Sequence, residues 1–249
     1  MIMLYFSGTG NSKYIAELFC KQMNAVCCSI EEKTDFDNLI ALHETVGFCY
    51  PVYGSRVPRI MRDFVKKHMA ALKDKKLIIF CTQMYFSGDG ARAFTDIFAR
   101  GYINVIYAEH FLMPNNVCNL FITPLPSEKT VKNYITKAER KMQVVCDNIA
   151  KNIIYKRGFN PCSRVLGLIQ GVFYPKLEKA GMDKVWIDGD CDLCNLCVDI
   201  CPMSNFENAN GKITPKHNCT MCYRCINRCP QKAISVYLRS KVKKQYKTL

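Results

Sequence analysis

Long apolar runs are missing from this 249-residue sequence. The longest, Val165 to Tyr174, is interrupted by glycine and glutamine and falls short of a membrane span. The opening MIMLYFSGTG has no basic n-region, no h-region and no cleavage site, so no secretory leader is expected. Tryptophan occurs once, at Trp186, and histidine four times, at His43, His68, His110 and His217. The histidines show no ligand spacing and no catalytic partner, and are expected to be surface or structural. No helix-turn-helix, zinc-finger or single-strand stacking pattern is present, which argues against nucleic acid. What remains, 49% hydrophobic and 22% charged residues, suits a globular chain able to bury a core, with length for two modest domains.

Cysteine is abundant, with sixteen residues. Half fall in two identical runs. Cys191, Cys194, Cys197 and Cys201 follow C-x2-C-x2-C-x3-C and precede Pro202; Cys219, Cys222, Cys225 and Cys229 repeat the spacing before Pro230. This is the spacing of bacterial iron–sulfur ligation, in which three thiolates wrap one face of a four-iron cube and the fourth cysteine serves the other cluster. It assigns Cys191, Cys194, Cys197 and Cys229 to one [4Fe–4S] cluster, and Cys219, Cys222, Cys225 and Cys201 to a second. The crossing ties the two halves together, so a segment with little core folds around its metal. Structural zinc needs only pairs of pairs, and disulfides need an oxidising compartment. The other eight (Cys20, Cys27, Cys28, Cys49, Cys81, Cys118, Cys146, Cys162) are scattered and are expected to be buried thiols. A reducing, anaerobic cytoplasm fits this usage.

The formal charge of +14 falls once cofactors are counted. Two clusters with their thiolates subtract about four units, and a bound phosphate group would remove roughly two more. The remaining positive charge favours an acidic redox partner through long-range steering.

The chain begins with an apolar strand, Ile2 to Phe6, and passes through Ser7-Gly8-Thr9-Gly10-Asn11-Ser12 into a helical pattern ending near Met23. Glycines that admit an anion, hydroxyl donors and a helix N-terminus make a phosphate cradle. No lysine follows the glycines, so it is not a P-loop, and it is not G-x-G-x-x-G. Further strands are expected at 25–30, 45–50, 76–81 and 104–111, with helices at about 57–72, 90–100 and 127–155.

The loop resembles the phosphate-binding loop of flavodoxins, whose hydroxyl-x-Thr-Gly-x-hydroxyl pattern is matched by Ser7, Thr9, Gly10 and Ser12. The resemblance implies an α/β, doubly wound, five-stranded parallel sheet of order 2-1-3-4-5 with FMN at its switch point. Flavodoxins sandwich the flavin ring between the loops after strands three and four. That role carries to Tyr53 with Gly54, and to Tyr85 or Phe86 with Gly88. Arg56 is either a solvated charge or a screen for the reduced ring. Met113-Pro114-Asn115-Asn116 resembles flavodoxin domains fused to ferredoxin domains, and is expected near the flavin edge.

The whole chain resembles flavodoxin–ferredoxin fusions. Expected are an FMN domain over 1–155, a connecting helical segment over 156–184, an α+β two-cluster ferredoxin domain over 185–238 and a basic tail over 239–249. The connecting segment reads as a helix docking one domain on the other, with an interfacial membrane contact as its alternative. The tail reads as disordered and solvated, or as a docking element for an acidic partner. The resemblance implies an intracellular electron carrier linking FMN to two clusters and a redox partner. A reductase acting directly on a small organic molecule is the alternative, with Tyr85 or Asp89 as proton donor, and a redox sensor ranks third.

Overall fold

The computed structural model describes residues 1–119 and 124–247. Strands β1 (Ile2–Tyr5), β2 (Val26–Ser29), β3 (Thr45–Pro51), β4 (Lys76–Gln83), β5 (Asn104–Leu112) and β6 (Tyr155–Lys156) form one parallel sheet in the order β2-β1-β3-β4-β5-β6. The first five keep the expected order. The sixth adds an edge the sequence does not announce: Tyr155 and Lys156 pair with Tyr107 and Ala108. Two residues are too few to show an alternating pattern.

Successive side chains of a strand point to opposite faces, which builds two cores from one strand. Ile2 and Leu4 enter the layer containing Phe36, Met61 and Phe94, while Met3 enters the layer containing Phe19, Phe80 and Met142. Helices α1 (Asn11–Met23) and α4 (Glu128–Ala150) supply the second layer. Helices α2 (Phe36–Ala41) and α3 (Arg59–Lys67) supply the first, with short 3-10 turns at Ala70–Leu72 and Arg92–Ile97. The helix expected over 57–72 is therefore broken near His68. The one expected over 90–100 is a 3-10 turn, with Arg92 bonded to Asp89 at 2.6 Å and Asp96 at 2.7 Å. The helix expected to reach Tyr155 stops at Ala150; Asn152 then turns the chain with φ of 55°.

The connecting region is a pair of helices, α5 (Pro161–Gly171) and α6 (Tyr174–Asp183). Asn160 caps α5 by accepting from the Ser163 N–H at 2.8 Å, and Pro161 sits where its missing N–H costs nothing. Beyond α6, β7 (Val185–Ile187) pairs antiparallel with β10 (Ile234–Val236), placing Trp186 opposite Ser235. Strands β8 (Phe206–Ala209) and β9 (Lys212–Pro215) form a hairpin. Short helices α7 (Leu196–Asp199) and α8 (Arg224–Arg228) each lie within a cysteine run.

The basic tail departs from the solvated reading. Val242 and Tyr246 are buried, and the Gln245 side chain donates to the Ile226 and Cys229 carbonyls at 2.8 and 2.7 Å. Its lysines stay outside while its two apolar residues dock, a three-to-four-residue spacing hidden among charges. Of the eight scattered cysteines, Cys20, Cys28, Cys49, Cys81 and Cys146 are buried and Cys27 and Cys118 are half-buried. Cys162 is exposed, against expectation, because most of α5 faces outward.

Candidate cofactor sites

Three thiols of the first run and the last thiol of the second line one small cavity: Cys191, Cys194, Cys197 and Cys229. Ile187, Ile213 and Ile234 supply its apolar walls. The other four thiols, Cys219, Cys222, Cys225 and Cys201, lie near enough for Cys225 to feel the charge of the rest. Burial first, and then the charge of neighbouring thiols, pushes Cys219 up to about 11 and Cys222 up to about 12; Cys201 contributes to both. Cys225 is raised for the same reasons. Thiols this buried are costly to ionise alone, and iron supplies the compensating charge. Among the described residues no three His, Cys, Asp or Glu side chains converge as around a single ion. A four-iron cube takes one thiolate per iron, so its ligands stand apart.

Backbone amides point at several of these sulfurs. Asn205 N–H donates to Cys201 Sγ at 3.2 Å, Met221 N–H to Cys219 Sγ at 3.2 Å, and Ala233 N–H to Cys229 Sγ at 3.4 Å. Such bonds favour the thiolate and are one of the levers that set a cluster's potential. Both donor sets fit [4Fe–4S] clusters.

A cavity of about 490 Å³ lies at the carboxyl ends of β1, β3, β4 and β5, where open α/β sheets take their ligands. Its floor is the 7–12 loop. Gly10 caps α1 with φ of 96°, and no side chain caps that helix or places a carboxylate in its first turn. The first N–H groups are therefore left for an anion. Thr9 and Ser12 are buried: Ser12 Oγ meets Thr82 Oγ1 at 2.8 Å, and Asn116 Nδ2 donates to Thr9 Oγ1 at 2.7 Å. Ser7 Oγ accepts from the Gly10 N–H at 3.1 Å, which tightens the loop. Of the phosphate-loop residues, Ser7, Gly8, Thr9, Asn11 and Ser12 line the cavity.

Tyr53 and Gly54 also line it, and the Tyr53 hydroxyl is buried without a hydrogen-bond partner among the described residues. Burial raises that phenol well above its ordinary range. An orphaned hydroxyl beside a hydroxyl-rich anion loop and a flat apolar space fits FMN, which brings a phosphate and a polar-edged ring. Met113, Pro114, Asn115 and Asn116 line the same space.

The loop after β4 behaves differently. Only Gln83 and Met84 reach the cavity; Tyr85 and Phe86 are exposed outside its lining. Ser87 donates to the Gln83 side chain, and Gly88 packs on the backbone of Gly167 in α5, which draws the loop tip away. Asp89 is fully buried against Arg92 and does not line the cavity either. Arg56, half-buried, is also outside it and lies against Gly171.

The far wall comes from the second half of the chain. Tyr174 and Leu177 of α6, Met221 and Tyr223 from the second cysteine run, and Tyr237 with Leu238 after β10 complete the cavity. Sequence reasoning did not reach these residues, because they meet the flavin loop only through docking. One signal was available: the intervening positions of CTMCYRC carry Met221 and Tyr223, large apolar groups on a cluster loop.

Docking is close. Gly8 lies so near Cys222 that a Cβ would overlap the Cys222 carbonyl oxygen. The Arg224 guanidinium donates to the carbonyls of Ser7 (2.7 Å), Gly8 (3.3 Å) and Ile200 (3.0 Å) and to both Glu31 oxygens (2.6 and 2.7 Å). Arg59 reaches Asn218, Arg62 reaches Glu178 at 2.7 Å, and Asn227 donates to the Asn116 carbonyl at 2.9 Å. From the tail, Tyr246 donates to Asn11 Oδ1 at 2.9 Å.

No curated protein sequence matches the chain. Among solved structures it is similar to the two-electron reduced flavodoxin of Megasphaera elsdenii, at 18% identity over 57% of this chain and 99% of that one, with a TM-score of 0.40. It is also similar to oxidised flavodoxin 2 from Bacillus cereus, at 17% identity over 56% and 97%, with a TM-score of 0.37. The Trp repressor binding protein of Bacillus subtilis matches at 13% identity over 56% and 96%, with a TM-score of 0.40. The flavodoxin domain family matches residues 2–122, and the 4Fe-4S dicluster domain family matches residues 190–234. The chain therefore joins a flavodoxin domain to a 4Fe-4S dicluster domain, as in flavodoxin–ferredoxin fusions, with FMN and [4Fe–4S] clusters as its cofactors and redox electron transfer as its role.

Proposed function

We propose that this protein carries electrons between FMN and two [4Fe–4S] clusters inside one fixed assembly, and on to a redox protein partner. One cluster is assigned to Cys219, Cys222, Cys225 and Cys201, the other to Cys191, Cys194, Cys197 and Cys229. The observation that carries the proposal is the shared wall: Met221 and Tyr223, the neighbours of Cys222, line the cavity whose floor is the phosphate loop. When bound, FMN supplies a two-electron carrier and each cluster a one-electron carrier, with potentials set by the protein.

The residues of the chain orient and insulate these groups. Ser7, Thr9, Ser12 and the α1 amides would hold the phosphate, and Tyr53 the ring edge. Tyr174, Tyr223 and Met221, all buried, exclude water from the space between the flavin loop and the nearer quartet. The Arg224, Arg59 and Asn227 contacts fix the spacing, so delivery needs no large domain swing. The exit is the outer quartet, where Cys194 is exposed. The positive balance of the chain favours an acidic partner at long range. Asp190 and Asp192 at the exit are already engaged, by Lys241 at 2.5 Å and Gln231 at 3.0 Å. A reducing compartment suits the exposed ligand. Tyr85 and Asp89, the donors expected for a small substrate, both lie outside the cavity lining, which favours the carrier reading.

The test is rapid anaerobic mixing of flavin-reduced protein with an acidic one-electron acceptor protein, in wild type and in Cys222→Ser. The reading expects the variant, reconstituted with FMN, to slow acceptor reduction by more than about tenfold. Equal rates would place the exit at the flavin and overturn the ordering.

A further inference from the structure

Helix α5 is built with its faces reversed. It buries only Gly167 and Gly171, residues four apart, against the Gly88–Asp89 turn and Arg56. Its large apolar residues face outward: Val165 is 56% exposed, Leu168 55% and Ile169 62%. The link to α6 continues the patch with Val172 at 63% and Phe173 at 65%. A helix normally turns this stripe to its own core, so the stripe is placed for something outside the chain.

The charge around the patch says what that is. Residues 151–184 carry seven lysines and arginines against two acids, Glu178 and Asp183. Glu178 is engaged by Arg62 at 2.7 Å, and Asp183 lies 3.2 Å from His217. Arg164, Lys176 and Lys179, which flank the apolar residues, have no ion-pair partner among the described residues. No helix among the described residues is long and apolar enough to cross a membrane. An apolar tip whose flanking cations, Arg164, Lys176 and Lys179, outnumber its one exposed acid, Asp183, is complementary to an anionic lipid surface, where the tip enters the headgroup boundary and the collar meets lipid phosphates.

We propose that the α5–α6 elbow is a peripheral docking site for an anionic bilayer. Leu177 of α6 belongs both to the collar region and to the lining of the large cavity, so docking brings the cavity mouth toward the lipid. The site owes nothing to the cofactors, and its test does not depend on electron transfer.

The test is flotation of the full, cofactor-loaded chain with phosphatidylcholine vesicles, with and without about one-third phosphatidylglycerol. Expected is binding to the anionic vesicles that weakens as salt rises and is small on neutral ones. Val165→Glu with Ile169→Glu, both on the exposed face, is expected to lower binding more than about tenfold while flavin and iron content stay at wild-type levels. Lys176→Glu with Lys179→Glu is expected to remove the preference for anionic lipid. Absence of binding to anionic vesicles at low salt would overturn the proposal. So would equal binding by the Val165/Ile169 variant, or self-association in solution that the same variant abolishes, which would assign the patch to a second copy.

Discussion

Replacing Arg224 by alanine tests how far the flavin loop depends on the ferredoxin half. The guanidinium makes five hydrogen bonds: two to Glu31 and one each to the carbonyls of Ser7, Gly8 and Ile200. Its side chain is 17% exposed and that of Glu31 25%, so the pair is screened in part. Breaking a fully buried pair costs about 3–5 kcal/mol, and a bond to a charged group is worth about 1.5–3 kcal/mol. Partial exposure puts Arg224→Ala near the lower end, at about 3 kcal/mol. If all of that orders the Ser7–Gly8 turn, FMN binding weakens about a hundredfold; if half does, about tenfold. The assay is FMN titration of flavin-free, cluster-loaded protein, with iron measured in parallel. A tenfold to hundredfold rise in Kd with unchanged iron is expected. A Kd within about twofold of wild type would refute the argument that the interface orders the phosphate loop.

Thr9→Ala with Ser12→Ala removes two buried hydroxyls from the phosphate loop, and is expected to weaken FMN about tenfold or more without changing iron content. Flavin affinity equal to wild type would place the phosphate elsewhere. Cys194→Ser is expected to lose or perturb the outer cluster only, lowering iron while FMN and the inner cluster's spectrum persist; two intact native clusters would break the ligand assignment. His110 is buried beside Gly158 and the Ala91 amide, and burial followed by the charges of Arg157 and Lys141 lowers it to about 3. Its folded value lies below its unfolded one, so its contribution is full above about pH 6.5 and is lost as pH falls toward 3, reaching about 2 kcal/mol by pH 5. Denaturant unfolding of His110→Gln is expected to show a shallower acid limb between pH 7 and 5, and identical limbs would contradict the assignment.

The parts of this structure that depend on local spacing were open to reading in the sequence. The cysteine spacing groups Cys191, Cys194 and Cys197 with Cys229, the four thiols that line one small cavity, and the Ser7–Ser12 loop with its glycines and hydroxyls marks a strand–helix junction. Strands β1 to β5 lie close to their expected positions, and their order followed from the resemblance that the loop carried. The parts that depend on distant contact were not open. Strand β6 owes its place to pairing with β5, and the tail's Val242 and Tyr246 look like spacers in a run of lysines until their pockets are seen. Tyr85 and Phe86 have the right chemistry for a flavin ring, but Gly88 must seat on Gly167, and that contact lies almost eighty residues away. The same holds for the cavity's far wall. Tyr174, Tyr223 and Tyr237 are brought to the flavin loop by Arg224, Asn227 and the close approach of Gly8, none of which has a one-dimensional signature.

The central claim is that one chain holds two clusters and a flavin, the flavin's cavity being walled by the second cysteine run. Flavin, iron and acid-labile sulfide per chain, measured on protein purified without oxygen, test it most directly. The account predicts about one FMN with about eight irons and eight sulfides. A full complement of iron with no flavin, even after FMN is supplied, would contradict it, because the cavity between the phosphate loop and the second cysteine run would then have another occupant.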